Sequence, residues 1–474
     1  MSRAWATTLF IAMALTITAC ILYEEPPHVE EIDGICNAQC GPCELGTFDC
    51  ELGECTAPDA WGDLLERVQD CGDVIFVSQE GAEGAAGSRD RPMSSIAEAV
   101  DAANSQGMSL VVVRAGGEWN EEVVLQDLSL VAQGGRSSIT VDGQGEHVTA
   151  VTVERGDVTV SGFDIEATGG ITNYGMRVLG GELRLSEVKL RAARGKTGSD
   201  GADGAEGNRG ERGEDGGWQD RWRGGRAGIN PECGEADGGD GGQGEVGVNE
   251  AQQGEDSAGG AMGSWGSGEN GWNGDPGEDG EPGEPNALSD GLWQRGSPGE
   301  DAAPGQAGIG GAGGAGGDAG SDGTGGGGGS GGAGGCGGSG GEGGKAGGSS
   351  IGLLVWSGAV TVVDSRVESS EAGDGGRGGL GGSGAEGRSG GSGASGDGTG
   401  DDGEEGGSGG DGGPGGRGGY GRGGESFSLI CGSDVEVRLE DVELLYSSGG
   451  REGHNLEERA DSGEYWNCTL KGEQ

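Results

Sequence analysis

The residues with the greatest chemical potential in this 474-residue chain are its 11 cysteines. Six of them fall within 36 residues: Cys36, Cys40, Cys43, Cys50, Cys55 and Cys71. Cys36, Cys40 and Cys43 are spaced x3 and x2, a pattern in which three thiolates can hold an iron–sulfur cluster or zinc. The same six can instead close three disulfides in a segment too short for a core of its own, with fifteen possible connectivities. Cys233, Cys336, Cys431 and Cys468 form a second even set, in which Cys431 and Cys468 are placed to staple the C-terminus. Cys336 lies inside a glycine run and can pair only with Cys233 or with another molecule. The three histidines, His28, His147 and His454, stand beside no nucleophile and acid in sequence, so triad chemistry finds no support.

Whether those thiols bind metal or pair depends on compartment, which the N-terminus addresses. A single early cation, Arg3, precedes an apolar run from Leu9 to Ile17 that is too short for a transmembrane span and fits a signal peptide over residues 1–19. Ile17-Thr18-Ala19-Cys20 resembles the bacterial lipobox. That resemblance implies lipidation of Cys20 as the mature N-terminus, and Ile21 at the next position implies sorting to the outer membrane. Export to an oxidising compartment favours disulfides over metal for the cysteine-rich neck of residues 20–72. No cofactor is expected.

Composition limits what else the chain can be. Only 31% of residues are hydrophobic and 4% aromatic, so a core can occupy only part of the length. A formal net charge of −52 repels a phosphate backbone, which excludes nucleic acid as a partner, and it suits a soluble surface exposed to salt or cations.

From residue 73 the texture is that of folded protein. Val74–Val77 reads as a strand, and Ser95 with Glu98 as a capping box opening a helix whose Ile96, Ala99, Val100 and Ala103 share a face. Strands follow at Leu110–Val113, Val123–Leu125 and Leu128–Val131. This run resembles the opening of pectin-lyase-like right-handed parallel β-helices, where a capping helix precedes the first coils.

An internal repeat points the same way. Val151, Val153, Val158, Val160, Phe163 and Ile165 align with Met176, Val178, Leu183, Leu185, Val188 and Leu190. They align again with Leu353, Val355, Val360, Val362, Ser365 and Val367, and with Leu429, Cys431, Val437, Leu439, Val442 and Leu444. Pairs of apolar residues at period two, separated by polar or glycine corners, describe one coil of a solenoid whose inward residues are buried only by stacking. The expected fold is all-β: a short single-stranded parallel β-helix of about six coils with a capping helix. Coils occupy 73–193, 351–371 and 427–474, and glycine-rich insertions occupy 194–350 and 372–426.

Both insertions leave from the same corner of a coil, so they should rise side by side from one edge. Glycine recurs at every third residue from Gly305 to Gly347 without interruption, and in shorter runs elsewhere. A period of three fits an extended polyproline-II-type backbone, in which each triplet position marks one face. The Gly-Gly-x triplets of 305–348 bare two faces, as a segment surrounded by others requires. Three outcomes are open: a folded-back bundle, flexible disorder, or an intermolecular trimer through the collagen-like residues 268–285. Residues 268–285 are the most collagen-like stretch, but proline is scarce (12 in all). The calcium-binding nonapeptide pattern is not met.

Two residue groups could contact sugars. Trp218, Trp222, Trp265, Trp272 and Trp293 lie in the first insertion, where an exposed indole can stack on a sugar ring or anchor the segment to the solenoid. Arg184, Lys189 and Arg366 fall in the stacked columns Thr159–Arg184–Thr361–Arg438 and Asp164–Lys189–Arg366–Glu443. There they are either members of charge ladders on a solvated face or an anionic-glycan patch. The functional expectation is a non-catalytic, lipid-anchored surface protein with a structural or adhesive role, possible partners being the membrane and a polysaccharide or envelope polymer. The alternative is a pectin-lyase-like polysaccharide lyase or hydrolase, which would rest on fold alone.

Overall fold

A computed structural model of the chain describes residues 74–471, apart from 115, 218–219, 247–249, 254–265, 322 and 434. It also describes four short strands, Glu31–Ile32 paired with Ile35–Cys36 and Thr47–Asp49 paired with Glu54–Thr56, both antiparallel. The described chain is almost entirely β, with one α-helix of 11 residues and a single turn of 3₁₀ helix.

Three parallel sheets stack into a solenoid. Sheet A has eight strands: Val74–Val77, Leu110–Arg114, Ser129–Gln133, Asp157–Ser161, Glu182–Ser186, Ala359–Val363, Glu436–Glu440 and Thr469–Lys471. Sheet B has six: Glu118–Trp119, Ser137–Asp142, Phe163–Thr168, Lys189–Ala192, Arg366–Ser369 and Glu443–Leu445. Sheet C also has six: Val123–Gln126, His147–Arg155, Thr172–Val178, Ser350–Val355, Ser426–Cys431 and Ser462–Trp466. Each full coil runs C, A, B and returns to C one level up.

The register is the one the internal repeat implies. Val151, Met176, Leu353 and Leu429 stack in one column, and Val160, Leu185, Val362 and Leu439 in another. These residues are buried and form one continuous apolar core. Each contributes on the order of 1.5–3 kcal/mol on removal from water, and only because a coil lies above and below it. The sheets pass over the insertions without a break: the Val188 N–H donates to Ser365 Oγ at 3.0 Å across 177 residues of chain.

The coils turn at single residues in the left-handed conformation. Gly162, Glu187, Asp364 and Asp441 occupy successive A-to-B corners with φ of 78°, 54°, 45° and 52°. Period-two alternation stops at these corners because one αL residue rotates the next strand into a new sheet.

The helix α1 (Ile96–Gln106) caps the open end of the core with Ile96, Ala99, Val100 and Ala103 buried. Ser95 caps the Glu98 N–H as its position predicts. A second cap comes from elsewhere in the chain: the Glu121 carboxylate accepts the Ile96 N–H at 2.6 Å and the Ser95 hydroxyl at 2.5 Å. A carboxylate there satisfies orphan amides and meets the positive end of the helix dipole.

Both insertions leave from the B-to-C corner, where a buried polar ladder replaces the apolar columns. Asn173 donates to the Arg194 carbonyl at 3.0 Å, and Ser350 and Ser370 hydroxyls donate to the Ala192 carbonyl at 3.0 and 2.8 Å. Ser369 and Ser426 hydroxyls meet at 3.0 Å. These side chains hold the entry and exit of each insertion together.

The insertions fold together into one bundle of extended segments. Residues 195–216 rise, 326–348 descend, 373–396 rise and 401–424 descend. The N–H groups of Gly198, Gly201, Gly204 and Gly207 donate to carbonyls of Asp374, Arg377, Leu380 and Ser383 at 2.7–2.9 Å, so the two rising segments are parallel. Lys345, Glu342, Ser339 and Cys336 donate to Ser199, Ala202, Ala205 and Asn208 of the antiparallel neighbour. Gly347, Gly344, Gly341 and Gly338 donate to Arg422, Gly419, Gly416 and Gly413. Every ladder repeats at three residues, the period of a polyproline-II backbone.

Segment 326–348 is central and is also bonded to 299–317. A Cβ at Gly331 would overlap the Gly311 carbonyl, and one at Gly332 the Arg388 carbonyl, so both bare faces are used. Of the three outcomes left open by the sequence, the folded-back bundle is the one found. The collagen-like stretch is bonded within its own chain, Gly271 to Ser408 and Gly277 to Pro414, so it is not a free strand awaiting two others.

At the periphery, Asp and Asn side chains take up amides that have no backbone partner. Asp200 accepts the Arg377 N–H, Asp203 that of Leu380, Asn273 that of Asp411 and Asp279 that of Arg417, at 2.6–2.8 Å. Part of the acidic charge of the insertions is therefore structural. Cys233 and Cys336 form a disulfide that ties an outer loop to the central segment, and Cys431 is bonded to Cys468.

Candidate functional site

Several sequence candidates lie outside the described residues: Cys20, Cys40, Cys43, Cys50, Cys71, Trp218 and Trp265, together with the side chains of Cys36 and Cys55. The remainder are placed as follows. Arg184 is on the outer face of sheet A, stacked between Thr159 and Thr361. Lys189 and Arg366 are in register on sheet B, between Asp164 and Glu443. Arg366 reaches Glu368 at 3.0 Å and Glu443 at 3.5 Å. Beside it Arg191 bridges Glu166 and Glu368 at 3.2 and 3.8 Å, and Asp164 pairs with Arg136 at 2.6 Å. The columns form a ladder of ion pairs, and the three cations are divided between two faces.

The tryptophans also separate. Trp272 is 77% exposed on the bundle, whereas Trp293 is 2% exposed. Trp293 sits on a hairpin (Ala287–Ser289 with Leu292–Gln294) that docks on the outer face of sheet C. It packs in a second apolar cluster with Tyr174, Ile351, Leu354, Phe427 and Ile430. The Tyr174 hydroxyl donates to the Trp293 carbonyl and accepts the Trp293 N–H, both at 3.0 Å. Burial pushes the Tyr174 pKa far up, so the phenol stays neutral and serves as a clamp. Trp293 thus anchors the first insertion to the solenoid.

Where the bundle meets the last coils, the hairpin Arg451–Glu452 with Asn455–Arg459 borders two clefts, one whose charged lining is cationic and one of mixed charge. One cleft, of about 300 Å³, is lined by Arg377, Gly378, Arg417, Gly418, Tyr420, Gly453 and His454. Its geometry follows from the ladder: the Gly418 N–H donates to the Gly379 carbonyl at 2.9 Å, which lays the segments carrying Arg377 and Arg417 side by side and antiparallel, and both arginines line the cleft. The Gly453 N–H joins the Gly421 carbonyl at 3.2 Å and brings His454 against Tyr420, with ring centroids 4.0 Å apart. The Arg422 guanidinium lies 5.5 Å from the Tyr420 ring centre. His454 Nε2 is 3.4 Å from a Glu458 carboxylate oxygen.

An adjoining cleft of about 180 Å³ is lined by Asn286, Arg422, Glu425, Glu452, Arg459 and Asp461 among others. Burial, reinforced by Asp461 and opposed by Asn286, pushes the Glu425 carboxyl up to about 7. Burial raises Glu452 as well, against the Arg422 guanidinium 3.6 Å away. Among the described residues no group of three or more His, Cys, Asp or Glu is arranged to hold a metal ion.

The first cleft was not legible in the sequence. Arg377, Arg417 and His454 belong to three separate segments, and only the hydrogen-bond register of the bundle makes them neighbours. The available signal is the repeat of Gly-Gly-Arg-Gly-Gly at residues 375–379 and 415–419.

No protein-family model matches the chain, and no curated protein or solved structure shows significant similarity to it.

Proposed function

We propose that the protein is a non-catalytic, lipid-anchored cell-surface protein with a structural or adhesive role. A signal peptide over 1–19 and a lipid on Cys20 would fix it to the outer membrane. The glycine bundle would make contact with envelope or extracellular polysaccharide. We read the solenoid as a right-handed, pectin-lyase-like β-helix serving as the mount. The observation that carries this reading is the bundle, a projection with ladders of backbone hydrogen bonds held to one corner of the solenoid by buried Asn and Ser side chains. Such a rigid, polar projection suits contact over an area better than turnover in a pocket.

Deletion of residues 372–424 in the full chain tests it. Attachment of cells to polymer-coated surfaces, read by wash-off counts, is expected to be lost while the protein remains in the membrane fraction. Attachment at the wild-type level would sink the reading.

A second reading, a polysaccharide lyase or hydrolase, is favoured by one observation. Glu425, with its pKa near 7, shares a cleft with Glu452 and Asp461, and a carboxyl titrating there can act as a general acid at neutral pH. Release of unsaturated or reducing sugar ends from pectin or alginate, abolished by Glu425→Gln, would establish it.

A further inference from the structure

We propose that the cleft formed by Arg377, Arg417, Tyr420 and His454 is a binding site for a carboxylated sugar, a uronate unit of an anionic polysaccharide. This rests on the proposed contact with polysaccharide and names both its ligand class and its place.

The charges make the first argument. Two exposed arginines are carried on neighbouring, hydrogen-bonded segments, and neither side chain has an ion-pair or hydrogen-bond partner among the described residues. This contrasts with Arg366, Arg191 and Arg136 on sheet B, each of which meets a carboxylate. The carboxylates nearest in the ladder, Asp200 and Asp279, already accept the backbone N–H groups of Arg377 and Arg417, at 2.8 and 2.6 Å. Two like charges lining one cleft repel, and an anion bound between them removes that cost. A planar guanidinium offers two parallel donors to a carboxylate, so a pair of them fixes orientation as well as charge.

The wall of the cleft makes the second argument. Tyr420 and His454, stacked at 4.0 Å, present an aromatic surface beside the guanidiniums. The apolar face of a sugar ring packs on such a surface while its carboxylate turns to the cations. A bare phosphate or sulfate uses the cations and leaves the aromatic wall idle. A volume of about 300 Å³ admits a ring or two, with the open side left for the polymer to continue.

The site is tested with purified full-length protein, galacturonate oligomers as the probe, and titration calorimetry at low ionic strength. Wild type is expected to bind the acidic oligomers and to ignore neutral galactose oligomers. The double variant Arg377→Gln/Arg417→Gln should lose at least about tenfold in affinity, Arg417→Lys an intermediate amount, and Tyr420→Ala severalfold, as expected when charged hydrogen bonds or a stacking wall are removed. Unaltered melting temperatures and amide-exchange protection of the bundle would show that the variants fold.

Four results would overturn the assignment. They are wild-type affinity in the double variant, no binding of the oligomers by wild type, inorganic sulfate binding as tightly as the uronate, or loss on Lys189→Gln with retention in the double variant. If polymer attachment is lost on deleting 372–424 but survives in the double variant, the adhesive reading stands and this site falls.

Discussion

Glycine at residue 331 or 332 and aspartate at 200 or 279 perform opposite tasks in the same bundle. The glycines let carbonyls approach where a methyl group would collide, and the aspartates satisfy amides that the three-residue ladder leaves unpaired at its edge. These edge amides are exposed to water, so each aspartate contributes only the modest net value of a hydrogen bond, about 0.5–1.5 kcal/mol. Glu425 is a different kind of acid. Its folded-state pKa of about 7 exceeds the usual carboxylate value of about 4.3, so folding favours the protonated form. Its contribution to stability is fully present below about pH 4.3 and is lost as pH rises through about 7. Between those limits the melting temperature of Glu425→Gln should fall less steeply with pH than that of wild type. Parallel melting curves across that window would refute the assignment of burial as the cause.

At the scale of elements, a solenoid coil and a glycine segment solve the backbone problem differently. The coil pairs its amides within parallel sheets and buries alternate side chains, so it needs Val, Leu and Ile facing inward. The segment pairs one amide in three with each neighbour and has almost no side chains to bury, so its core is backbone. Segment 326–348 is the keystone because it bonds to segments on several sides. Gly331→Ala should therefore disrupt the bundle as a unit, whereas Gly84→Ala, which meets no atom within 4 Å, should alter only its own left-handed turn. Hydrogen exchange checks this: the bundle segments 195–216, 299–317, 326–348, 373–396 and 401–424 should lose protection in Gly331→Ala while solenoid strands such as Asp157–Ser161, Glu182–Ser186 and Ala359–Val363 keep theirs. Continued protection of the bundle would mean that its segments are less interdependent than their ladders imply.

For the whole molecule, 81 acidic residues against 29 basic ones create repulsion that the fold must tolerate. Short-range ladders on sheet B offset it locally, as between Arg191 and its two glutamates. The remainder is long-range and therefore screened by salt. Raising ionic strength from about 0.01 M to about 0.15 M shortens the screening length from about 30 Å to about 8 Å, and the melting temperature should rise with it. A flat or falling melting temperature in a salt series would show that surface pairing already balances the charge. The same excess makes the basic cleft at the foot of the bundle conspicuous, since cations there are gathered against the trend of the chain.

The sequence by itself determined the solenoid, because its inward residues repeat at fixed offsets and each column must stack on its own kind. That is why Thr159–Arg184–Thr361–Arg438 could be aligned before any coordinates, and why both insertions could be assigned to one corner. It also set out a bare glycine face at every third residue of the insertions, which a neighbour could occupy, and left open whether one does. It did not determine which segments become neighbours. Glycine triplets are nearly interchangeable, and the pairing of 326–348 with 195–216, 299–317, 373–396 and 401–424 is set by where each segment is pinned and how long it is. The Glu121 cap on α1, the Trp293 anchor under Tyr174, and the meeting of Arg377, Arg417, Tyr420 and His454 all depend on that assembly. The tertiary structure decided them because each joins residues whose local sequence is satisfied without the other.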